Sequence, residues 1–374
     1  MKALVFERSL PKYAAAAVAG RLLAGQGARV GPLSLKDVDP PELPGPGWVR
    51  VRPRLAGICG SDLATVDGHS SRYFEPIVSF PFTPGHEVVG ELDDGRRVAL
   101  AATLTCSARG VQPPCRYCAE GQSNLCERIA FGHLSPGLQT GFCEDTGGGW
   151  STGFVAHQSQ LHEVPGDMAD EAAVMVEPAA CALHAARMAG DAETVAVIGA
   201  GTLGLLTVAA LAGEREVLVA ARHPQQRTLA TSFGGTPVDD IERAVRRATR
   251  SLRTDGQLTG GVETVFDCVG SDDSIAQALR VVAPGGTVVL VGMPGKTSVD
   301  LTGLWHREAS LKGSYAYSHQ DFADAFELVR RFDLGRLVSA LYPLDRYREA
   351  IDHAAHAGRR GAVKIAFDLR QERR

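Results

Sequence analysis

Two hydrophobic rhythms divide the chain. Up to about residue 165, apolar positions come in short extended runs broken by proline and glycine, as in Pro40-Pro41-Glu42-Leu43-Pro44-Gly45-Pro46-Gly47. Residues 1–6 read as a strand, and Trp48-Val49-Arg50-Val51-Arg52 alternates apolar and charged positions, the pattern of a half-buried strand. From about residue 170, strand-like and helix-like segments alternate, which predicts a parallel sheet with crossover helices. There, residues 172–190 form a helical run and 195–198 a fully buried strand. A helix opening near Thr202 and a strand at 217–220 complete a βαβ unit. The stretch 240–252 sets Ile241, Val245, Ala248 and Leu252 on one helical face with arginines opposite. Strands at 264–268 and 287–291 flank a helix carrying Ile275, Leu279 and Val282 and the turn Pro284-Gly285-Gly286. Helices at about 320–333 and 345–357 are expected to be capped by Gly335 and Gly358. A last strand at 362–367 is assigned to the first part. The domains expected are 1–168, 169–309 and a return at 310–374.

Composition narrows the class. At 374 residues the chain suits two domains of ordinary size. A hydrophobic fraction of 44% and a charged fraction of 22% are those of a soluble globular protein. The net charge of −4, with both signs scattered, leaves no electrostatic footprint for nucleic acid. No apolar run approaches the roughly 18 residues of a membrane span. Alanine-rich residues 13–25 follow Lys2, Arg8 and Lys12 and faintly imitate a signal peptide. A strand already occupies the start, however, and Arg21 interrupts the run, so an amphipathic helical insertion is expected. Eight cysteines, several at metal spacing, suit a reducing cytoplasm.

Three stretches carry chemistry. Gly57-Ile58-Cys59-Gly60-Ser61-Asp62 and Gly85-His86-Glu87 supply cysteine, histidine and carboxylate, the ligand set of a zinc site with room for a reacting oxygen. Cys115-x2-Cys118-x7-Cys126, with Cys106 upstream, has the makings of a closed four-thiolate zinc site that stabilises its loop; loss of one ligand is the alternative. Cys143, Cys181 and Cys268 stand alone and read as small hydrophobes. Gly199-Ala200-Gly201-Thr202-Leu203-Gly204 follows a buried strand and opens a helix, the context a dinucleotide loop requires. Gly199 permits the turn, Gly201 admits the pyrophosphate and Gly204 lets helix and strand pack closely, while the N–H groups at Thr202 and Leu203 face the phosphates. A βα turn that merely needs glycines is the plain alternative. The next strand ends in Ala221, Arg222 and His223, with Arg227 a turn later. No carboxylate is there to hold ribose hydroxyls, and Arg222 would pair with a 2′-phosphate, which favours NADP(H) over NAD(H). An ordinary solvated loop is the alternative.

Taken in order, G-I-C-G-S-D at 57–62, P-G-H-E at 84–87, the four-cysteine loop, V-E-P at 176–178 and the glycine loop at 199–204 resemble the zinc-dependent medium-chain alcohol/polyol dehydrogenases of the sorbitol type, over nearly the whole chain. The resemblance implies an α/β protein: a GroES-like, β-rich catalytic domain interrupted by a Rossmann domain with a doubly wound parallel sheet, and an active site in the cleft between. It implies that Cys59 and His86 bind a catalytic zinc and that Glu87 or Glu177 supplies the third ligand, which of the two being left open. Asp62 would hold the other nitrogen of His86, as well as forming a turn, and Ser61 would pass the proton. The nicotinamide would lie near Cys268, Val269, Val291 and Gly292. The activity implied is hydride transfer between the nicotinamide and a secondary alcohol, polyol or matching ketone, a small-molecule substrate, in a homodimer or homotetramer. An aldehyde or activated C=N or C=C reductase of the same family is the runner-up, and a catalytically silent protein that binds nucleotide and zinc is the reading from another class. Two departures stand out. Relatives often carry a histidine where this chain has Ala64, so His69 or water would complete the proton relay, although a solvated loop histidine is the plainer reading. Residues 10–32 exceed what most relatives have there, and could form a lid, an oligomer contact or plain packing.

Overall fold

The computed structural model describes residues 1–213, 215–254, 257–293 and 295–371. The chain forms two compact units, Met1–Glu177 with the chain from Tyr317 onward, and Pro178–Ala316. These boundaries differ from the 168/169 and 309/310 read from the sequence, and the difference puts both Glu177 and Tyr317 in the first unit. Among the described residues, no helix is long and apolar enough to cross a membrane.

In the first unit, β1 (Lys2–Phe6) pairs antiparallel with β2 (Leu33–Asp37). The ten-residue β3 (Trp48–Gly57) is the hub of a larger sheet. Its first half pairs with β6 (Phe154–His157) and its second half with β4 (Val88–Glu91). β5 (Arg97–Leu100) and β7 (Leu161–Glu163) extend the β4 side. The alternation read at Trp48–Arg52 gives way to the wholly buried Leu55, Ala56 and Gly57, where the strand delivers Cys59. Phe6 stacks on Phe82 at 5.1 Å, and Trp150 meets Phe367 edge-on at 5.2 Å, closing the core beneath the sheet.

Two short lobes are fastened to this sheet. Helix α1 (Leu10–Leu22) is not amphipathic in the expected sense: small residues face inward and large ones outward. Ala16 and Gly20 are buried, while Leu10, Val18 and Leu22 are exposed. The cause is a close backbone approach, since a Cβ on Gly20 would lie 2.7 Å from the Cβ of Asp67. The Asp67 carboxylate accepts from the backbone N–H groups of Gly25 and Gly27 at 2.7 and 2.9 Å; Gly27 opens the one-turn helix α2 (Gly27–Val30). The insertion is thus sewn to the end of α3 (Gly60–Val66). The second lobe holds the four clustered cysteines and one-turn helix α4 (Arg116–Ala119). There Arg109 is fully buried and donates to the carbonyls of Leu104, Phe131, Leu134, Ser135 and Gly137 at 2.6–3.3 Å, satisfying its fork with backbone alone.

The helical run read at 172–190 is broken into α5 (Asp170–Ala173), α6 (Val176–Ala186) and a 3₁₀ turn at Arg187–Ala189. In the second unit all the ladders of one six-stranded sheet are parallel. Its order is β10 (Thr236–Val238), β9 (Glu216–Ala220), β8 (Thr194–Ile198), β13 (Val262–Asp267), β14 (Val282–Leu290) and β15 (Ser310–Gly313). A two-residue hairpin, β11 (Arg253–Thr254) with β12 (Gln257–Leu258), lies outside it. The sheet winds outward in both directions from the β8/β13 boundary, the switch point at which such folds bind ligands. Helices α7 (Thr202–Leu211), α8 (Pro224–Ser232), α9 (Ile241–Ala248), α10 (Asp272–Val281) and α11 (Thr302–His306) make the connections.

Three local readings are corrected. Helix α9 stops at Ala248, leaving Leu252 71% exposed. The Thr249 hydroxyl takes the Val245 carbonyl at 2.8 Å and Arg250 turns left-handed (φ 53°), which ends the helix. Pro284-Gly285-Gly286 is an irregularity inside β14 rather than a turn before it, with Gly285 at φ 73° and a register shift against β13. Gly335 and Gly358 are not caps. Helix α12 (His319–Arg331) is followed by left-handed Asp333 (φ 49°), and α13 (Tyr347–Ala355) by a 3₁₀ turn closed at Gly361 (φ 66°). Between these helices runs β16 (Val338–Tyr342), which pairs with β17 (Lys364–Asp368), and β17 lies antiparallel to β3, in the first unit as read.

His162 on β7 lies over Phe322 with ring centroids 4.5 Å apart, and burial, then the neighbouring His319, lowers its pKa from 6.5 to about 4. The unfolded chain takes this proton near 6.5 and the folded chain resists it. Above 6.5 the effect is absent, and stability should fall as pH drops from 6.5 towards 4. The expected loss between pH 7 and pH 5 is about 1–2 kcal/mol. Urea unfolding of His162→Phe and the parent at both values checks this; equal pH slopes would refute it.

Candidate active site

The backbone sets the site before any side chain does. The N–H of Ile58 donates to Ile365 O of β17 at 2.9 Å, and that of Gly57 to Glu87 O at 2.8 Å, so β3 ends between two tethers. Cys59 is then the N-cap of α3. Its side chain accepts from the Asp62 N–H, and its own N–H donates to Asp62 Oδ2 at 3.0 Å, a capping box with a thiol in the usual serine place. His86 and Glu87 follow Gly85, whose φ of 101° and a would-be Cβ 2.5 Å from the Trp150 ring require glycine.

These tethers bring Cys59 and His86 together. Ser61 Oγ lies 3.5 Å from His86 Nε2, Asp62 Oδ1 lies 3.5 Å from Nδ1, and Cys59 is near enough to act on the charge of the ring. Asp62 therefore caps the helix with one oxygen and faces His86 with the other. Burial disfavours the charged ring, but Asp62 and Cys59, then Glu177, raise the His86 pKa well above its ordinary value. Burial raises that of Asp62, with His86 opposing. Asp62 Oδ1 and His86 Nδ1 are buried without a closer hydrogen-bond partner, so the polar pair is poised rather than closed.

The two glutamates have different neighbours. Glu87 is gripped by Lys364, whose Nζ lies 2.7 and 2.6 Å from its two oxygens and 3.2 Å from Ile58 O. Lys364 is only 3% exposed; burial lowers its pKa, but Glu87 and Cys59 outweigh this and raise it. A Cβ at residue 57 would lie 2.0 Å from Glu87 Oε2, so Gly57 makes space for the pair. Glu177, second residue of α6, is buried, and burial pushes its pKa up to about 7 against the pull of His86. Tyr317 acts on the same carboxylate, drawing its pKa down more weakly than His86 does. Neither Lys364 nor Tyr317 was anticipated. The one available signal was a lysine standing inside the apolar run Ala362-Val363-Lys364-Ile365-Ala366-Phe367.

Cys106, Cys115, Cys118 and Cys126 form the tightest ligand cluster, their ligand atoms all within 4.8 Å of one another. Among the described residues no other group of three or more such side chains meets that criterion; the Cys59–His86 pair with Glu177 does not. Cys106 belongs to the set despite its long spacing, with its sulfur 3.7 Å from that of Cys126 and accepting from the Cys115 N–H. Burial opposes ionisation, yet backbone N–H groups draw the Cys115 thiol down to about 7, while Cys126 is pushed up to about 11 and Cys118 higher still. Four crowded thiols cannot all ionise unaided, and a divalent cation at their centre fits them, closed on all four sides. Cys59 and His86 leave positions open and fit a catalytic ion instead.

In the second unit, Gly199 has φ 90°, and a Cβ on Gly204 would lie 1.9 Å from Gly199 O, so both glycines are obligatory. Gly201, the N-cap of α7, has nothing within 4 Å of a would-be Cβ, which leaves the face above Thr202 and Leu203 open to a ligand. Asp267, unanticipated, fixes the strand ends. Its carboxylate accepts from Val269 N and Gly270 N at 2.9 and 3.2 Å, and its carbonyl from Val291 N and Gly292 N at 2.8 and 2.9 Å. Val269 and Val291 thus share one end of the sheet. Cys268 points to Thr207 on α7, and burial pushes its thiol up to about 12. Arg222 is exposed and His223 is the N-cap of α8. Arg227 is committed elsewhere, to Ala221 O at 3.2 Å and the Asp239 carboxylate at 2.8 Å. His69 is exposed, and its N–H donates to Ala64 O.

Comparison with known proteins agrees with both units. The alcohol dehydrogenase GroES-like domain matches residues 45–166, and the zinc-binding dehydrogenase domain matches residues 199–331. Sorbitol dehydrogenase 1 of Saccharomyces cerevisiae is 29% identical over 353 residues, covering 88% of this chain and 94% of that protein. "Probable D-xylulose reductase A" of Arthroderma otae is 30% identical over 298 residues, 75% of this chain and 79% of its own. A Sinorhizobium meliloti 1021 crystal structure, described as a zinc-binding dehydrogenase bound to NADP, superposes with a TM-score of 0.73 at 26% identity, covering 98% of both chains.

Proposed function

Since the chain belongs to the zinc-dependent medium-chain alcohol and polyol dehydrogenase family, we propose that it interconverts a secondary alcohol or polyol and the matching ketone with NADP(H), using Cys59, His86 and Glu177 as ligands of a catalytic zinc. The observation that carries this assignment is the Cys59–His86 pair backed by Asp62, beside two glutamates with unlike partners. Glu87 is neutralised by Lys364, so Glu177 is the better third ligand and Glu87 the one that would have to exchange in. The four-cysteine set would hold a second, structural zinc.

A zinc ion at Cys59 supplies Lewis acidity that lowers the pKa of an alcohol or polarises a carbonyl, while nicotinamide takes or returns the hydride. The chain's own residues do the rest. Asp62 faces Nδ1 of His86 and so orients the ring, leaving Nε2 for a metal. Ser61, whose hydroxyl faces His86, takes up or returns the substrate proton. In this reading α7 offers Thr202 and Leu203 N–H groups to the pyrophosphate across the open face of Gly201, with Val269 and Val291 beside the nicotinamide. Past Ser61 the route runs through water, because Ala64 cannot carry a proton and His69 is an exposed loop residue. The protein would act as a homo-oligomer, a reading supported by the exposed edge strand β15 and the 80% exposed Trp305, and the eight cysteines suit the reducing cytoplasm.

A hydride-transfer screen of secondary alcohols, polyols, ketones and aldehydes with both cofactors tests the proposal. Turnover of secondary alcohols and ketones is expected. Turnover of aldehydes alone, or silence across the panel, would refute it.

The NADP preference rests on exposed Arg222 and the absence of a carboxylate where β9 ends, and the S. meliloti relative was solved with NADP. Arg227, held by Asp239, takes no part. Arg222→Asp should lower the ratio of kcat/KM for NADP over NAD by roughly 10- to 100-fold, the worth of one charge-assisted phosphate contact plus new repulsion. An unchanged ratio would overturn the preference.

A further inference from the structure

Helix α3 is seven residues long and has unlike ends. Cys59 caps its start, with Ser61 and Asp62 in the first turn, and Asp67 caps its end. A carboxylate at a helix C-terminus is opposed by the helix dipole, so Asp67 does not stabilise α3 from within. It is 5% exposed, and among the described residues no cation pairs with it. Its two oxygens accept instead from the N–H groups of Gly25 and Gly27, at 2.7 and 2.9 Å. A buried carboxylate that its own helix opposes and a separate segment satisfies ties the two together.

We propose that Asp67 is a positioning residue of the active site, through which residues 10–32 hold α3 at the angle that aims Cys59 and Ser61. This inference rests on the reading of Cys59 as a metal ligand and Ser61 as the proton carrier.

The contact is close and runs along two lines. A Cβ on Gly20 would lie 2.7 Å from the Asp67 Cβ, and one on Gly27 would lie 2.8 Å from the Asp67 Cα. The insertion thus meets the last turn of α3 with no side chain between. Gly68, left-handed at φ 67°, would carry a Cβ 2.9 Å from the Tyr13 carbonyl oxygen. The second line is made of hydroxyls. Tyr13 Oη donates to Ser70 O at 3.4 Å, and the hydroxyls of Ser70 and Thr65 lie 2.9 Å apart. Thr65 Oγ1 donates to Ser61 O at 2.9 Å, so this line ends on the backbone of the proton carrier. Along the helix itself two hydrogen bonds join its ends: Asp67 N–H donates to Leu63 O at 2.9 Å and Leu63 N–H to Cys59 O at 3.1 Å. A shift at Asp67 therefore reaches Cys59.

Displacements of about 1 Å, arising far from the chemistry, cost up to about 100-fold in rate. The test uses the full-length protein with zinc at the four thiols and cobalt(II) at the Cys59 site. Visible cobalt bands report ligand geometry, and kcat is measured with a secondary alcohol that the parent turns over. The parent is compared with Asp67→Asn, Thr65→Val, Arg370→Met and Cys59→Ala. Asp67→Asn keeps the shape but sets a donor against one of the two N–H groups. It is expected to lower kcat about 10-fold, to shift the cobalt bands, and to leave dinucleotide affinity within about twofold. Thr65→Val should do the same by about threefold. Arg370, whose ion pairs are with Asp170, Glu171 and Asp368, supplies the control: Arg370→Met should lower thermal stability and keep the parental bands and kcat. Reduced stability with parental bands and kcat in Asp67→Asn would overturn the positioning role, as would bands that shift equally in Arg370→Met. Should Asp67→Asn not fold, Thr65→Val decides, and parental bands and kcat there overturn the proposal. Unchanged bands in Cys59→Ala would remove the ligand reading, and the inference with it.

Discussion

Cys59→Ala should remove turnover, lowering kcat/KM by on the order of 10³ or more, while dinucleotide affinity stays within about twofold. The two effects separate because Cys59 and the glycine loop belong to different units of the fold. Losing the thiol removes one of the two proposed ligands brought together at the end of β3. The several kcal/mol of charge stabilisation that a Lewis acid supplies then disappears. The capping box also loses its side-chain acceptor, which costs about 1 kcal/mol of helix stability and is small beside the catalytic loss. Metal analysis should fall from two zinc ions to one per chain, with the four-thiol ion retained. Full activity, or an unchanged metal content, would refute the assignment of Cys59.

The second large effect is on stability. Lys364→Met should destabilise the first unit by about 3–5 kcal/mol, because it leaves the Glu87 carboxylate buried beside nothing that neutralises it. Glu87→Gln alone should cost a comparable amount, since it strands an ammonium that burial already disfavours. The double variant, Lys364→Met with Glu87→Gln, should recover most of the loss, because the desolvation of both charges disappears together. Urea unfolding of the four proteins gives the coupling directly. Losses that simply add in the double variant would show that the pair is not the unit described.

The readable part of the site was its short-range part. Cys59, Ser61 and Asp62 lie within one helical turn, and the capping box is written in their spacing. His86 and Glu87 adjoin a glycine whose backbone angle explains itself. The glycine loop was legible because strand, turn and helix are contiguous. What escaped was long-range. Lys364 stands 277 residues from Glu87 and reaches it only because β17 lies antiparallel to β3. Tyr317 meets Ala102 from 215 residues away. No local pattern encodes such meetings. Helix ends were misread for a related reason: a left-handed aspartate ended α12 and a 3₁₀ turn ended α13 where glycines were expected, and a threonine hydroxyl ended α9 short of Leu252. The insertion failed for a third reason. Its inward face is set by how closely Gly20 and Gly27 can approach α3, and hydrophobicity does not report closeness.

The pairing of β17 with β3 also imposes an order in time. A ribosome makes β3, β4 and Glu87 early, and Lys364 only after the whole second unit has left the exit tunnel. Until then Glu87 has no counter-ion and Ile58 no partner for its N–H, so the early chain cannot bury that carboxylate without protonating it or admitting water. The second unit is therefore synthesised inside a host that is still open, and the surroundings of Glu87 are completed last.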